Sequence, residues 1–271
     1  QIKKNSIDQT FLINLTFGLF PLSLVFGNLT TNINLVLFCS LGIFKLRSKI
    51  LSENFGLPLK AIFLFFSIVF LSTVLSFSKA IYIDEYQSYE LTKLIKSIFF
   101  FRFFLLLFIV YLLSKFDILQ YKYFFFMASI LPILISLDII YQYIFGFNTI
   151  GFKSFGVYNS GVFGNELIAG GFIKNFSFFS IIFSIFIFRN SKKIGFILTI
   201  LAICILGVGI LLSGNRMPVI LFLLGLVFFI LFSKKLRLLL SVGFLSLFII
   251  FGFIGFFDSE IKNKYISFRD N

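Results

Sequence analysis

Residues 194–213 read IGFILTILAICILGVGILLS, twenty positions without one charged side chain. At a helical rise of about 1.5 Å per residue the run reaches roughly 30 Å, the thickness of a bilayer's hydrocarbon core. Lys192-Lys193 precedes it, Gly214-Asn215-Arg216-Met217-Pro218 follows it, and a second apolar run then continues to residue 233. The stretch reads as two membrane-spanning helices joined by a tight turn that carries a cation. A guanidinium kept at a hydrocarbon boundary costs free energy, which marks Arg216 as a residue with a task.

Composition extends that reading to the whole chain. It is 59% hydrophobic and 13% charged, holds 46 Phe in 271 residues and has a mean hydropathy of +1.05. A soluble domain of this size cannot bury that much apolar surface, whereas a bilayer removes the need to. The fold class expected is all-α, a polytopic transmembrane helical bundle. The net charge of +13 raises the question of nucleic acid, but the basic residues come in small clusters between apolar runs, so none is expected as a partner. Cys39 and Cys204 lie inside apolar runs and read as small buried hydrophobes. The sequence opens at Gln1 and closes in a polar stretch, which reads as part of a longer chain.

Runs of about 20 apolar residues give nine expected spans: 11–27, 30–46, 58–77, 96–115, 121–145, 167–188, 194–213, 217–233 and 236–257. The chain thus divides into a transmembrane helical domain, 1–257, and the start of a polar loop, 258–271. With a cytoplasmic N-terminus, the inner segments hold 14 of the 24 Lys and Arg, in short dense clusters such as Lys234-Lys235-Leu236-Arg237. The outer segments hold 9 of them, diluted over longer stretches with seven of the eleven acids. The positive-inside rule then places the 146–170 loop, the 213–218 turn and the 258–271 tail on the outer face.

Three features meet on that face. Gly161-Val162-Phe163-Gly164-Asn165-Glu166-Leu167-Ile168-Ala169-Gly170-Gly171 leads into a span; its four glycines permit close helix packing or close approach of a ligand. Glu166 near a helix start suits the helix dipole. In the second feature, Gly214 ends one helix, Asn215 is placed to cap the next, and Pro218 is tolerated in a first turn. Arg216 beside that N-terminus suits a phosphate or pyrophosphate, or else snorkels to lipid headgroups. The third lies within the membrane, where Arg102 and Asp138 both fall roughly 10 Å from the outer ends of their spans. They are expected to pair and pin two helices, or Arg102 supplies positive potential under an anion.

Several chemistries are excluded. Without histidine there is no Ser-His-Asp triad and no His-based zinc site. No P-loop pattern is present, the outward acids are scattered, and the Asp84-Glu85 pair reads as solvated loop. No metal and no cofactor is expected.

Four stretches resemble the O-antigen ligase and O-antigen polymerase superfamily of bacterial envelope proteins. They are Phe101-Arg102-Phe103, the run from Asp138 through Tyr141-Gln142 to Gly146, the run Ser160 to Gly171, and Ser213-Gly214-Asn215-Arg216. Their order and the nine expected spans fit that superfamily's layout ahead of its large periplasmic loop, with about twelve spans expected in the full chain. The resemblance implies a metal-independent glycosyltransferase in the bacterial inner membrane. Its donor is a polysaccharide on undecaprenyl pyrophosphate, and its acceptor a hydroxyl of lipid A-core or of another glycan. It makes Arg216 the residue that holds the pyrophosphate and stabilises it as it leaves, with Gly214, Asn215, Lys174, Arg102, Gly164, Asn165 and Glu166 as candidate substrate contacts. The proposed base is a histidine in the loop after the ninth span. A basic residue often stands near the Gly-rich segment, where this chain has Tyr158; Lys174 is its candidate substitute, but as a point charge without the Arg fork.

Two other readings stand beside this one. A transporter or flippase of lipid-linked or anionic solutes would use Arg102 and Asp138 as a pathway, with broken helices at the midplane. A structural subunit of an envelope complex would need no chemistry. The gene's continuation separates them: the enzyme reading expects a soluble outward loop containing His and then about three further spans. A continuation without an outward His speaks against catalysis.

Overall fold

Apolar runs this long fold as helices because nothing inside a hydrocarbon layer hydrogen-bonds an open backbone. The computed structural model describes residues 2–47, 50, 56–81, 87–156, 158–187 and 192–266. Asp84-Glu85, Arg189 and residues 267–271 of the tail lie outside the described residues. In order the helices are α1 (Ile2–Gly18), α2 (Phe20–Val25), α3 (Asn28–Leu46), α4 (Leu57–Ile81), α5 (Gln87–Lys115), α6 (Tyr121–Phe145), α7 (Ala169–Ile187), α8 (Lys192–Leu212), α9 (Arg216–Phe232), α10 (Arg237–Phe257) and α11 (Ser259–Ile266). A short 3-10 turn, Gly161–Phe163, precedes α7. Among the described residues the only β pairing is two isolated bridges, both in the 147–158 loop.

Seven of these helices (α3 to α8 and α10) are long and apolar enough to cross a membrane, which makes the chain multi-pass. The other two expected spans take a different form. The run 11–27 is interrupted at Leu19, between α1 and α2. Pro21 explains the break, since it has no N–H for the ladder and its ring crowds the carbonyl four residues back. The run 217–233 forms a shorter apolar helix, α9, of 17 residues.

The chain divides into two units: Gln1–Phe20 with Leu29–Tyr121, and Pro21–Asn28 with Lys122–Asn271. In the first, Asn14 ties α1 to the end of α5: its Nδ2 donates to the Ile118 carbonyl (3.0 Å) and its Oδ1 accepts from the Gln120 N–H (2.5 Å). Phe66 of α4 packs among Phe100, Phe101 and Phe104 of α5.

The second unit is built inside out relative to a soluble domain. Phe232, Ile249 and Phe256 are exposed on its surface, while Ser129, Ser136, Gln142, Ser177, Ser180 and Thr199 are buried. Small hydroxyls stitch the helices: Ser180 Oγ donates to the Ser129 carbonyl (2.6 Å), and Ser184 Oγ to Thr199 Oγ1 (3.0 Å). That is how helices associate when lipid and side chain are equally apolar. Glycine permits the closest crossing, because a Cβ on Gly209 of α8 would stand 2.6 Å from the Ser136 Cβ and 2.8 Å from its Cα. Gly209→Val should therefore lower stability by about 1–3 kcal/mol in thermal unfolding in detergent. Gly255→Ala serves as the control, since its added methyl meets nothing within 4 Å; equal melting of the two variants would refute this crossing.

Candidate functional site

At one end of the second unit the 146–171 segment meets the 211–218 turn. The α8 helix ends in a left-handed Gly214 (φ +78°) whose N–H donates to the Leu211 carbonyl (3.1 Å). Asn215 occupies the position before α9, as expected, but its side chain does not cap the helix. Its Nδ2 instead donates to the Leu167 carbonyl at 2.7 Å, holding the glycine-rich segment to the turn. A Cβ on Gly170 would overlap Ser213 Oγ and stand 3.6 Å from the Pro218 Cβ, so the backbone at the start of α7 lies against the turn that carries Arg216. Close approach is what Gly170 supplies here.

Arg216 is half-buried at the first position of α9, beside the exposed Met217. Tyr265 of α11 lies within reach of its field. Burial pushes the Tyr265 phenol above its ordinary range, the Arg216 charge pulls the other way, and Tyr158 adds to the rise. The Tyr265 hydroxyl donates to the Leu211 carbonyl (2.8 Å), and Asn159 Nδ2 to the Leu212 carbonyl (2.8 Å). The last carbonyls of α8 are thus capped by side chains from two different segments.

Beside this turn an apolar groove of about 450 Å³ runs among α8, α9, α10 and α11, lined by Leu211, Val219, Phe251, Gly252, Gly255 and Tyr265. Cβ atoms on Gly252 and Gly255 would meet nothing within 4 Å, so these two glycines leave the groove open.

Asp138 is 6% exposed and has a different set of partners from the one expected. Its Oδ1 accepts from the Thr149 N–H (3.0 Å) and hydroxyl (2.6 Å), and its Oδ2 from Asn148 Nδ2 (3.4 Å). Gln142, one turn further along α6, accepts from the Gly161 N–H (2.7 Å), and Asn148 Nδ2 donates to the Gly161 carbonyl (2.7 Å). Gly161 is held at both backbone groups in a left-handed conformation (φ +56°). These partners all belong to the unit of Asp138 itself, and Arg102 belongs to the other.

Arg102 falls in the middle of α5, which starts at Gln87, well before the expected residue 96. Its guanidinium stands 4.9 Å from the Phe103 ring centroid. Among the described residues the one ion pair is Lys93–Glu90 (2.6 Å). Lys174 is half-buried in the second turn of α7; Asn165 and Glu166 are exposed, and Gly164 (φ +61°) lies against the Phe152 ring. Asn148, Asn159 and Tyr265 were not among the residues singled out from the sequence, and Gln142 stood there only within a quoted stretch, with no role. Asp138 and Gln142 do stand four apart on an otherwise apolar helix, which places them on one face.

No family model, no curated protein and no solved structure matches the chain.

A raised folded-state pKa at Tyr265 means that the unfolded chain loses this proton first, so stability is full below the ordinary tyrosine pKa and declines above it. Stability should therefore fall as pH rises beyond about 10, and Tyr265→Phe should flatten that fall at a cost of about 1 kcal/mol at neutral pH. Unfolding measured between neutral and alkaline pH checks this, and parallel curves for the two proteins would contradict it.

Proposed function

We propose that this chain is a membrane glycosyltransferase of the O-antigen ligase kind, which transfers a polysaccharide from undecaprenyl pyrophosphate to a glycan hydroxyl. The observation that carries the proposal is the pairing of a cation with an apolar groove. Leu211 and Val219 line the groove from either side of the turn, and Tyr265 lines it within the field of Arg216. A polyprenyl diphosphate has this two-part chemistry, a hydrocarbon tail and a charged head.

In the proposed reaction the acceptor oxygen attacks the anomeric carbon. The bond from that carbon to the diphosphate oxygen breaks, its electron pair stays on the diphosphate, and the hydroxyl proton passes to a base. Arg216 contributes where charge develops, through a planar fork suited to two phosphate oxygens. The resemblance assigns the base to a histidine of a periplasmic loop. The site end of the second unit would face the periplasm, with the chain in the bacterial inner membrane. A ligase and a polymerase share this leaving-group chemistry and differ in the acceptor, lipid A-core or a growing glycan.

The full-length protein in membranes, assayed for transfer from lipid-linked glycan, tests the reading. Arg216→Ala should reduce transfer by about 10²–10³-fold, by analogy with loss of one donor to a developing anion. Arg216→Lys should retain part of it, because charge survives without the fork. Undiminished transfer by Arg216→Ala would overturn the role.

A further inference from the structure

We propose that Asn159 is a positioning residue for Arg216, held in place by the buried Asp138–Gln142–Asn148 clamp. The inference rests on the function proposed above, but its structural half stands on separate observations. Asn159 is 2% exposed; its Nδ2 donates to the Leu212 carbonyl at 2.8 Å, four residues before Arg216. Its Oδ1 is buried and has no hydrogen-bond partner among the described residues.

A buried acceptor left unmade costs more than a single neutral hydrogen bond returns. Asn159 is therefore a poor choice for stability alone, and it keeps its place because the surrounding chain over-determines it. That determination is visible. Two residues after Asn159, Gly161 is fixed by Gln142 at its N–H and by Asn148 at its carbonyl. Asn148 also closes its own turn, with Oδ1 accepting from the N–H groups of Ile150 (3.1 Å) and Phe152 (2.7 Å). Asp138 fixes the same turn through Thr149, and Ser160 Oγ donates to the Gly164 carbonyl.

The clamp sets the path of the loop, the loop delivers one amide to the end of α8, and that amide braces the turn before Arg216. The effect of Asp138 on the turn is proposed to pass through the loop and Asn159. Stability and positioning are therefore expected to come apart on mutation, as they do where a strained contact serves function.

The test is Asn159→Ala in the full-length protein in nanodiscs, with hydrogen exchange at residues 212–217, melting temperature, and kcat and KM for transfer. Exchange at 212–217 should rise roughly tenfold, the consequence of losing about one hydrogen bond's worth of protection. Melting should change little, since the unmade Asn159 acceptor is removed as the Leu212 carbonyl is opened, and kcat should fall with little change in KM for the acceptor. Asp138→Asn, which keeps one oxygen acceptor for Thr149, should raise exchange at 147–163 and 212–217 together. Unchanged exchange at 212–217 in Asn159→Ala overturns the positioning role whatever the activity. Exchange and kcat that fail only in step with a lowered melting temperature also overturn it. Raised exchange in a protein whose parent transfers no glycan would leave the brace standing and remove the proposed function instead.

Discussion

Inside a hydrocarbon layer a backbone N–H or carbonyl has no water to turn to, and each one left open costs several kcal/mol. Helices satisfy that demand within themselves. The 146–164 segment has only one short helical turn and two bridges, so side chains have to meet the part of its backbone that these leave open. Asp138, Gln142 and Asn148 do this, each buried and each bonded to main-chain groups of the segment. They help to set the path of the loop, while Asn215 holds the glycine-rich segment against the Arg216 turn.

The same demand shapes the turn. The α8 helix stops at Leu212 and α9 begins at Arg216, which leaves the last carbonyls of α8 to be met from elsewhere. Tyr265 and Asn159 meet them, and Asn215 turns from capping α9 to reach the Leu167 carbonyl. Two segments distant in sequence, 146–171 and α11, therefore converge on six residues. The cation is delivered to a spot where an apolar groove opens on one side, and the proposed diphosphate lipid would bring its tail to the groove and its head to the guanidinium.

Much of this was open to reading from the sequence, and the limits have physical causes. Length and hydropathy were enough for the long spans, and Gly214-Asn215-Arg216 was readable as a turn because Gly supplies φ > 0 there. The break at Leu19 was harder, since an apolar run hides a helix interruption unless Pro21 is given full weight. Asp138 was paired with Arg102 because both were charges at similar depth. Within its own unit Asp138 is bonded to Asn148 and Thr149, ten and eleven residues away. They reach it only because the chain folds back on itself, which no helical periodicity encodes. Asn159 and Tyr265 carry no local signal, as each acts on a helix end more than fifty residues away.

The central claim is that Arg216 and the groove together bind a lipid diphosphate, and binding can be measured without any transfer. The full-length protein in nanodiscs, titrated by calorimetry with a short polyprenyl diphosphate and with the matching polyprenyl alcohol, gives the most direct answer. The account predicts tighter binding of the diphosphate by about tenfold or more, with that advantage removed by Arg216→Gln and weakened by salt. Equal affinity for diphosphate and alcohol, or a diphosphate preference that survives Arg216→Gln, would contradict it.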